Sequence, residues 1–355
     1  MWARSRGVDS VLLGITFMEE LLGIYVRTED AATTVADLAD RRFALPVWPR
    51  LVFNFWRFAA EKGIASALRV HGLTEADVRL VDVTEDWDPH ERRQVGRVDA
   101  VTPARCEYRA QLEALLSGEV DAIFGKGPEA ALLEREAGGR GRLLYDLRSA
   151  PDLRARVNNS TPRLLTTGRS LLDGHPNAVV TYLRAVLHAG RWALMQPDAA
   201  RRLIARECAV DDAQLETCLQ PNYAEELLPS FSARNWEATQ IMQEFLLTRG
   251  YLEREFQLDT WADSGPLNEA CALEGLDLQQ FSQNRDEKTF RELDLRNNWS
   301  KGTAFRRFKA LLPVLAEGED FHRLAADSDA LKIDELRVAG RIYASTTNAL
   351  INTGD

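Results

Sequence analysis

Only four cysteines and five histidines occur among the 355 residues, and neither set is spaced for chemistry. Cys106, Cys208, Cys218 and Cys271 form no CxxC pair, so neither a disulfide framework nor a zinc knuckle is indicated. His71, His90, His175, His188 and His322 are dispersed, without HxxxH or HExxH spacing, and no metal or other cofactor is expected. The nucleophile elbow GxSxG, the dinucleotide fingerprint and the P-loop are all missing. No apolar run reaches the length of a transmembrane helix. The first one, residues 11–17, closes on Glu19-Glu20 and not on a small-residue cleavage site, so the chain as given reads as cytoplasmic. A start further upstream would make it periplasmic. Positive charge is short as well: 44 Lys and Arg face 54 Asp and Glu, for a net charge of -10, which argues against a nucleic-acid or membrane-surface binder.

What is present is an ordinary globular composition, 45% hydrophobic and 28% charged, long enough for a sizeable core and two or three domains. Strand and helix patterns alternate through most of it. Leu12-Leu13-Gly14-Ile15-Thr16 and Gly23-Ile24-Tyr25-Val26-Arg27 read as strands, followed by a short helix over residues 35–42 and a strand at Phe43-Ala44-Leu45. A turn at Pro46-Val47-Trp48-Pro49 then feeds a helix from Arg50 to about His71, with Pro49 in its first turn. The strand Arg79-Leu80-Val81-Asp82-Val83 completes a βαβ unit and implies parallel pairing. Residues 87–105 are a polar insertion without periodicity, most simply an exposed loop. The strand Val120-Asp121-Ala122-Ile123-Phe124 ends in a turn, Gly125-Lys126-Gly127-Pro128, before the next helix. Long helices occupy much of the stretch beyond residue 170.

Scattered segments carry a resemblance. They include Leu13-Gly14-Ile15-Thr16, Ala36-Asp37-Leu38-Ala39-Asp40-Arg41-Arg42, Ala189-Gly190-Arg191-Trp192-Ala193, Glu226-Leu227-Leu228-Pro229 and Met242-Gln243-Glu244-Phe245-Leu246-Leu247-Thr248. Leu258-Asp259-Thr260-Trp261-Ala262 with Leu267-Asn268 extends the set, which spans residues 12–270. Together they resemble the hydroxybiphenyl sulfinate desulfinases, within the type 2 periplasmic-binding-protein superfamily of sulfonate, nitrate and taurine transport. The resemblance implies a bilobed α/β type 2 periplasmic-binding-protein fold with an incomplete first lobe, plus a small mainly α C-terminal extension. The implied organisation is a remnant of lobe 1 and hinge over 1–28, lobe 2 over 29–147, a helical return to lobe 1 over 148–270, and the extension over 271–355. In those desulfinases the nucleophilic cysteine, a histidine and an arginine precede the Leu-Gly-Ile-Thr strand. Residues 1–11 hold neither cysteine nor histidine, so no catalytic residue is assigned. Cys106, with Arg105 and Arg109 near it, would have a lowered pKa, but surface loops carry such cysteines freely.

The candidate ligand residues are Thr16, Trp48, Arg50, Phe124, Lys126 and Asn159. The superfamily presents backbone N–H groups to an anion at the first strand-to-helix turn of lobe 2. Here Pro46 and Pro49 remove two donors, so Trp48 would stack on an aromatic ligand and Arg50 pair with its acidic group. The plain alternative makes Trp48 packing and Arg50 a solvated residue. Lys126 follows a strand and precedes a helix, where such folds bind ligands, although a lysine between glycines is also a common turn. Asn158-Asn159-Ser160-Thr161 lies on the returning crossover and offers amide hydrogen bonds or an Asx-type turn. His188 reads as a packed helix residue.

In the extension, Arg306, Arg307 and Lys309 would face phosphates if the segment were a helix-turn-helix, but Phe305, Phe308, Leu312 and Leu315 equally fit a docked surface helix. Nucleic acid is therefore not expected as a partner. The sequence favours a binding protein for a small organic anion, sulfonate, sulfinate or carboxylate and aromatic ones among them, of the ABC-transporter substrate-binding type. Its protein partner would be an ABC permease or a second copy of itself. The alternative is a desulfinase-like hydrolase cleaving a C–S bond, whose catalytic segment would lie upstream of Met1.

Overall fold

The computed structural model describes residues 1–49, 51, 53–85, 108–208 and 210–276. The polar insertion, Cys106, Arg50 and the basic helix of the extension lie outside the described residues.

A short helix, α1 (Trp2–Ser5), leads into β1 (Ser10–Thr16), whose five central residues are all buried. β1 is paired antiparallel with β7 (Arg163–Gly168), from Ser10↔Gly168 to Thr16↔Arg163. The other sheet has five strands in the order β4-β3-β5-β2-β6. These are β2 (Leu22–Arg27), β3 (Arg42–Val47), β4 (Arg79–Thr84), β5 (Ala122–Lys126) and β6 (Gly141–Asp146). β3 runs parallel to β4 and β5, while β2 is antiparallel to β5 and β6. The continuous burial of β2 and β5 is the pattern of strands covered on both faces.

The expected βαβ unit is there: α2 (Phe55–Val70) connects β3 to the parallel β4. Its boundaries differ from the sequence reading in two ways. The helix begins five residues late because Asn54 caps it, its side-chain oxygen accepting from the Arg57 amide at 3.3 Å. The strand continues through Pro46, where a turn was expected. Arg41 and Val47 accept from Arg79 and Glu85 on the β4 side, and Arg42 from Asp121 on the β5 side. Even positions therefore face β5, where the pairing is Phe43↔Ala122, and Pro46 directs its missing donor beyond that point. The short helix expected over 35–42 is a single 3₁₀ turn, Val35–Leu38.

α3 (Arg109–Ser117) and α4 (Gly127–Ala137) complete the sheet lobe, and α5 (Leu153–Arg156) lies on the way back to β7. α6 (Arg169–Gly174), α7 (Pro176–Met195), α10 (Ala233–Thr248), α11 (Leu258–Trp261) and α12 (Gly265–Leu273) surround the β1–β7 pair. α8 (Pro197–Glu207) and α9 (Asp212–Cys218) lean on α4, burying Ala200, Ala205 and Leu215 with Ala130 and Ala131. His188 is a packed residue of α7, as expected, with its Nε2 on the carboxylate of Glu274. No helix among the described residues is long and apolar enough to cross a membrane.

Phe124 shows how tightly α2 is seated. Its ring, 1% exposed, presses on Gly63 of α2, where an added Cβ would lie 2.1 Å from a ring carbon. Gly63→Ala therefore has to push helix and sheet apart, an overpacking cost of about 1–3 kcal/mol. Urea unfolding of the variant should show that loss; an unchanged midpoint would mean that α2 sits further from the sheet.

Candidate functional site

Two connections join the lobes: residues 17–21 between β1 and β2, and residues 147–162 between β6 and β7. The first interrupts an otherwise apolar stretch with Glu19 and Glu20, both buried. Side chains of successive extended residues point to opposite sides, and these two diverge. The Glu19 carboxylate takes Arg156 Nη1 at 2.6 Å and Arg234 Nη2 of α10, while its own amide donates to Glu226 Oε2 at 2.6 Å. Arg234 also reaches Glu226 Oε1 at 3.2 Å and lies 4.3 Å over the Phe17 ring. Glu20 turns the other way. Its Oε1 accepts from Lys126 Nζ at 2.5 Å and Thr161 Oγ1 at 3.0 Å. Lys126 Nζ donates in addition to the Asn159 carbonyl at 2.7 Å.

Burial pushes the Glu20 carboxyl up, but the charges of Lys126 and Arg163 and the two hydrogen bonds prevail, holding it below the ordinary value. Glu226 goes the other way: burial raises it, and the Glu19 amide and Arg234 only partly offset that. A side chain at residue 127 would crowd this pair, since a Cβ there would stand 2.5 Å from Glu20 Oε2, and its φ of +59° also suits glycine.

Of the six candidate ligand residues, the structure brings three to this place. Lys126 and Asn159 meet directly, and Thr16 is paired across the ladder with Arg163, two residues after Thr161. Lys126 sits in the last position of β5, with α4 starting at the next residue, so the loop expected at 125–128 is absent. It is 5% exposed and already paired with Glu20, so its charge is shared with that carboxylate. Phe124 is directed into the α2 interface, and Trp48, 2% exposed, is likewise interior. Arg50 is outside the described residues. Sequence reading missed Glu19, Glu20, Arg156, Glu226 and Arg234, and placed Thr161 only within the crossover segment. The available signal was the pair of acids set between two apolar strands, which served only as the end of a hydrophobic run.

The carboxyl ends of β3, β4 and β5 form the rim beside this cluster. Lys126 N donates to Tyr108 Oη at 3.0 Å, and Tyr108 meets Trp56 edge-on at 5.7 Å. Trp2 of α1 stacks on Phe53 at 5.2 Å, and Phe53 contacts Phe58 and Tyr251, so aromatic rings from both lobes meet there. Glu85, following β4, caps α3 by accepting from Ala110 N and Gln111 N at 3.2 and 3.3 Å. Burial pushes its carboxyl up to about 7 despite those bonds. No group of three or more His, Cys, Asp or Glu able to hold a metal ion occurs among the described residues.

No protein-family model matches the chain. It is 26% identical over 278 residues to the 2'-hydroxybiphenyl-2-sulfinate desulfinases of Rhodococcus erythropolis and Rhodococcus qingshengii, an alignment spanning 72% of this chain and 73% of theirs. The fold matches a mutant of the desulfurization enzyme DszB in complex with biphenyl-2-sulfinic acid, with a TM-score of 0.58, 23% identity, and 75% and 80% of the two chains covered. A protein described as the periplasmic sulfonate-binding protein SsuA of Methylobacillus flagellatus matches with a TM-score of 0.54 and 16% identity, over 76% and 70% of the chains. The chain has the type 2 periplasmic-binding-protein fold. In this bilobed α/β architecture the two connections described above are the interlobe crossovers, and the expectation drawn from the Leu-Gly-Ile-Thr and Trp261 segments holds at the level of fold.

Glu85 gives the rim a pH signature. Folded, it keeps its proton up to about pH 7; unfolded, it titrates near 4.5. Between those values the native state binds more protons, so its contribution to stability is full below about 4.5 and is lost as pH rises toward 7. The slope should reach at most about 1.4 kcal/mol per pH unit. Denaturant unfolding across this range should show wild type losing stability relative to Glu85→Gln as pH rises; parallel curves would contradict a protonated Glu85.

Proposed function

We propose that the protein binds a small organic anion, an aromatic sulfonate, sulfinate or carboxylate, in the cleft between its lobes. The reading rests on one observation. In a chain of net charge -10, the crossover region gathers four cations, Lys126, Arg156, Arg163 and Arg234, against three carboxylates, Glu19, Glu20 and Glu226. The raised pKa of Glu226 enlarges that positive surplus whenever it is protonated. One anion would neutralise it, and the Trp2–Phe53 stack supplies an adjoining aromatic surface for an aryl group. The names of the similar proteins, a sulfonate-binding protein and an enzyme crystallised with biphenyl-2-sulfinic acid, support the same ligand class. The sheet lobe that goes with this reading starts at residue 22 and not at the expected 29, because β2 lies between β5 and β6 in its sheet; it runs to 147, the returning chain takes 148–270, and the natural partner would be an ABC permease.

The desulfinase reading needs a thiolate, and neither Cys218 nor Cys271 offers one. Burial pushes Cys218 and Cys271 up to about 11, leaving both protonated at neutral pH.

Calorimetric titration with benzenesulfonate and biphenyl-2-sulfinate, with sulfite measured in parallel, tests this. Saturable binding without sulfite release is expected, and Phe53→Ala should weaken the aryl ligands about tenfold while leaving methanesulfonate unaffected. Sulfite accumulating over many turnovers would establish the hydrolase instead. Failure of every anion to bind would end the reading.

A further inference from the structure

The acidic pair on the first crossover does more than carry charge. Glu19 reaches Arg156 and Glu20 reaches Thr161, so adjacent residues of one crossover grip the other at two places. Lys126, bound to Glu20, adds a third tie through the Asn159 carbonyl. Each crossover is also fixed to a neighbouring element. Leu21 N donates to Cys218 O at 2.8 Å, and Arg234 anchors Glu19 to α10. On the second crossover, Asn158 Nδ2 donates to Ala59 O at 3.1 Å and Lys62 Nζ to Arg154 O at 2.8 Å, both from α2. A single apolar cluster then fills the space between: Phe17 from the first crossover, Phe58 from α2, Val157 from the second crossover, and Ala238, Met242 and Leu246 from α10.

Hinge closure requires a few connecting residues to absorb large backbone rotations. Here neither crossover can turn without parting buried, charged hydrogen bonds, and a buried charge that loses its partner is costly. We infer that Glu19 and Glu20 are positioning residues that staple the two crossovers into one rigid unit, so that the cleft is preformed and does not open and close as a clamshell. The inference concerns how the proposed cleft is held. It is read without ligand, so its outcome is separate from that of the anion titration.

The test is the distance distribution between spin labels at the exposed positions Glu119, before β5, and Asn177, on α7, measured by electron-electron resonance with Cys106 and Cys208 replaced by serine. Wild type should give one narrow distribution, unchanged by excess benzenesulfonate. Glu20→Gln, which keeps the side-chain shape and removes the charge, should widen it about twofold, as should Glu19→Gln. Asp121→Asn is the control. Asp121 holds Arg42 and Arg27 inside the sheet lobe, away from the crossovers, so its loss should lower thermal stability without widening the distribution. A broad or two-peaked wild-type distribution, or a shift on adding benzenesulfonate, would overturn the inference, as would a folded Glu20→Gln with wild-type width. Should Glu20→Gln not fold, Thr161→Val removes one of the same ties at almost constant volume: widening supports the staple and an unchanged width refutes it.

Discussion

The structure depends on two buried carboxylates placed where a chain ordinarily places apolar residues. Glu19 and Glu20 lie between β1 and β2, in a stretch whose neighbours Phe17, Leu21 and Leu22 are at most 2% exposed. Taking a carboxylate out of water carries a heavy desolvation cost, and a well-packed apolar pair is often at least as stable. What the acids add is direction. An ion pair with a named partner at a hydrogen-bond distance specifies one arrangement, whereas apolar contacts tolerate sliding. The alternation of the extended backbone sends one acid toward α10 and the other toward β5, so a single dipeptide orients both lobes against the same crossover.

The sheet lobe shows a related use of charge. Asp121, just before β5, receives Arg42 Nε at 2.9 Å and Arg27 Nη2 at 3.3 Å, and its carboxyl is held well below the usual range, chiefly by the hydrogen bond from Arg42. Arg27 ends β2 and Arg42 begins β3, on either side of β5 in the sheet. One carboxylate therefore registers three strands at their shared edge. Apolar burial supplies the driving force for the sheet, and these ion pairs choose among its registers.

The elements were legible wherever a local pattern decided them. The apolar runs of β1 and β2, the alternation of β4, and the long periodic helices near Pro176–Met195 and Ala233–Thr248 follow from residue order alone. The errors fell where a distant partner decided. Pro46 reads as a turn until the β4 and β5 sides of β3 are known, and Gly125-Lys126-Gly127 reads as a loop until β2 is seen to pair with Gly125 and Lys126. Glycine and proline signal local freedom, and tertiary hydrogen bonds can take that freedom away.

The same limit governs the site. Sequence reasoning identified Lys126 from its place at the end of a strand and before a helix, and that place is correct. Its counterion, however, lies 106 positions away, and the hydroxyl sharing that carboxylate lies 141 positions from it. A cation at such a junction reads as a ligand contact unless an acid elsewhere already claims it. That acid left its own trace, because a buried glutamate has to be paired. Two adjacent glutamates between two apolar strands each demand a partner from another part of the chain. Charges that break a hydrophobic pattern are thus as informative as the motifs themselves, and here they mark the crossover between the lobes before any coordinate is known.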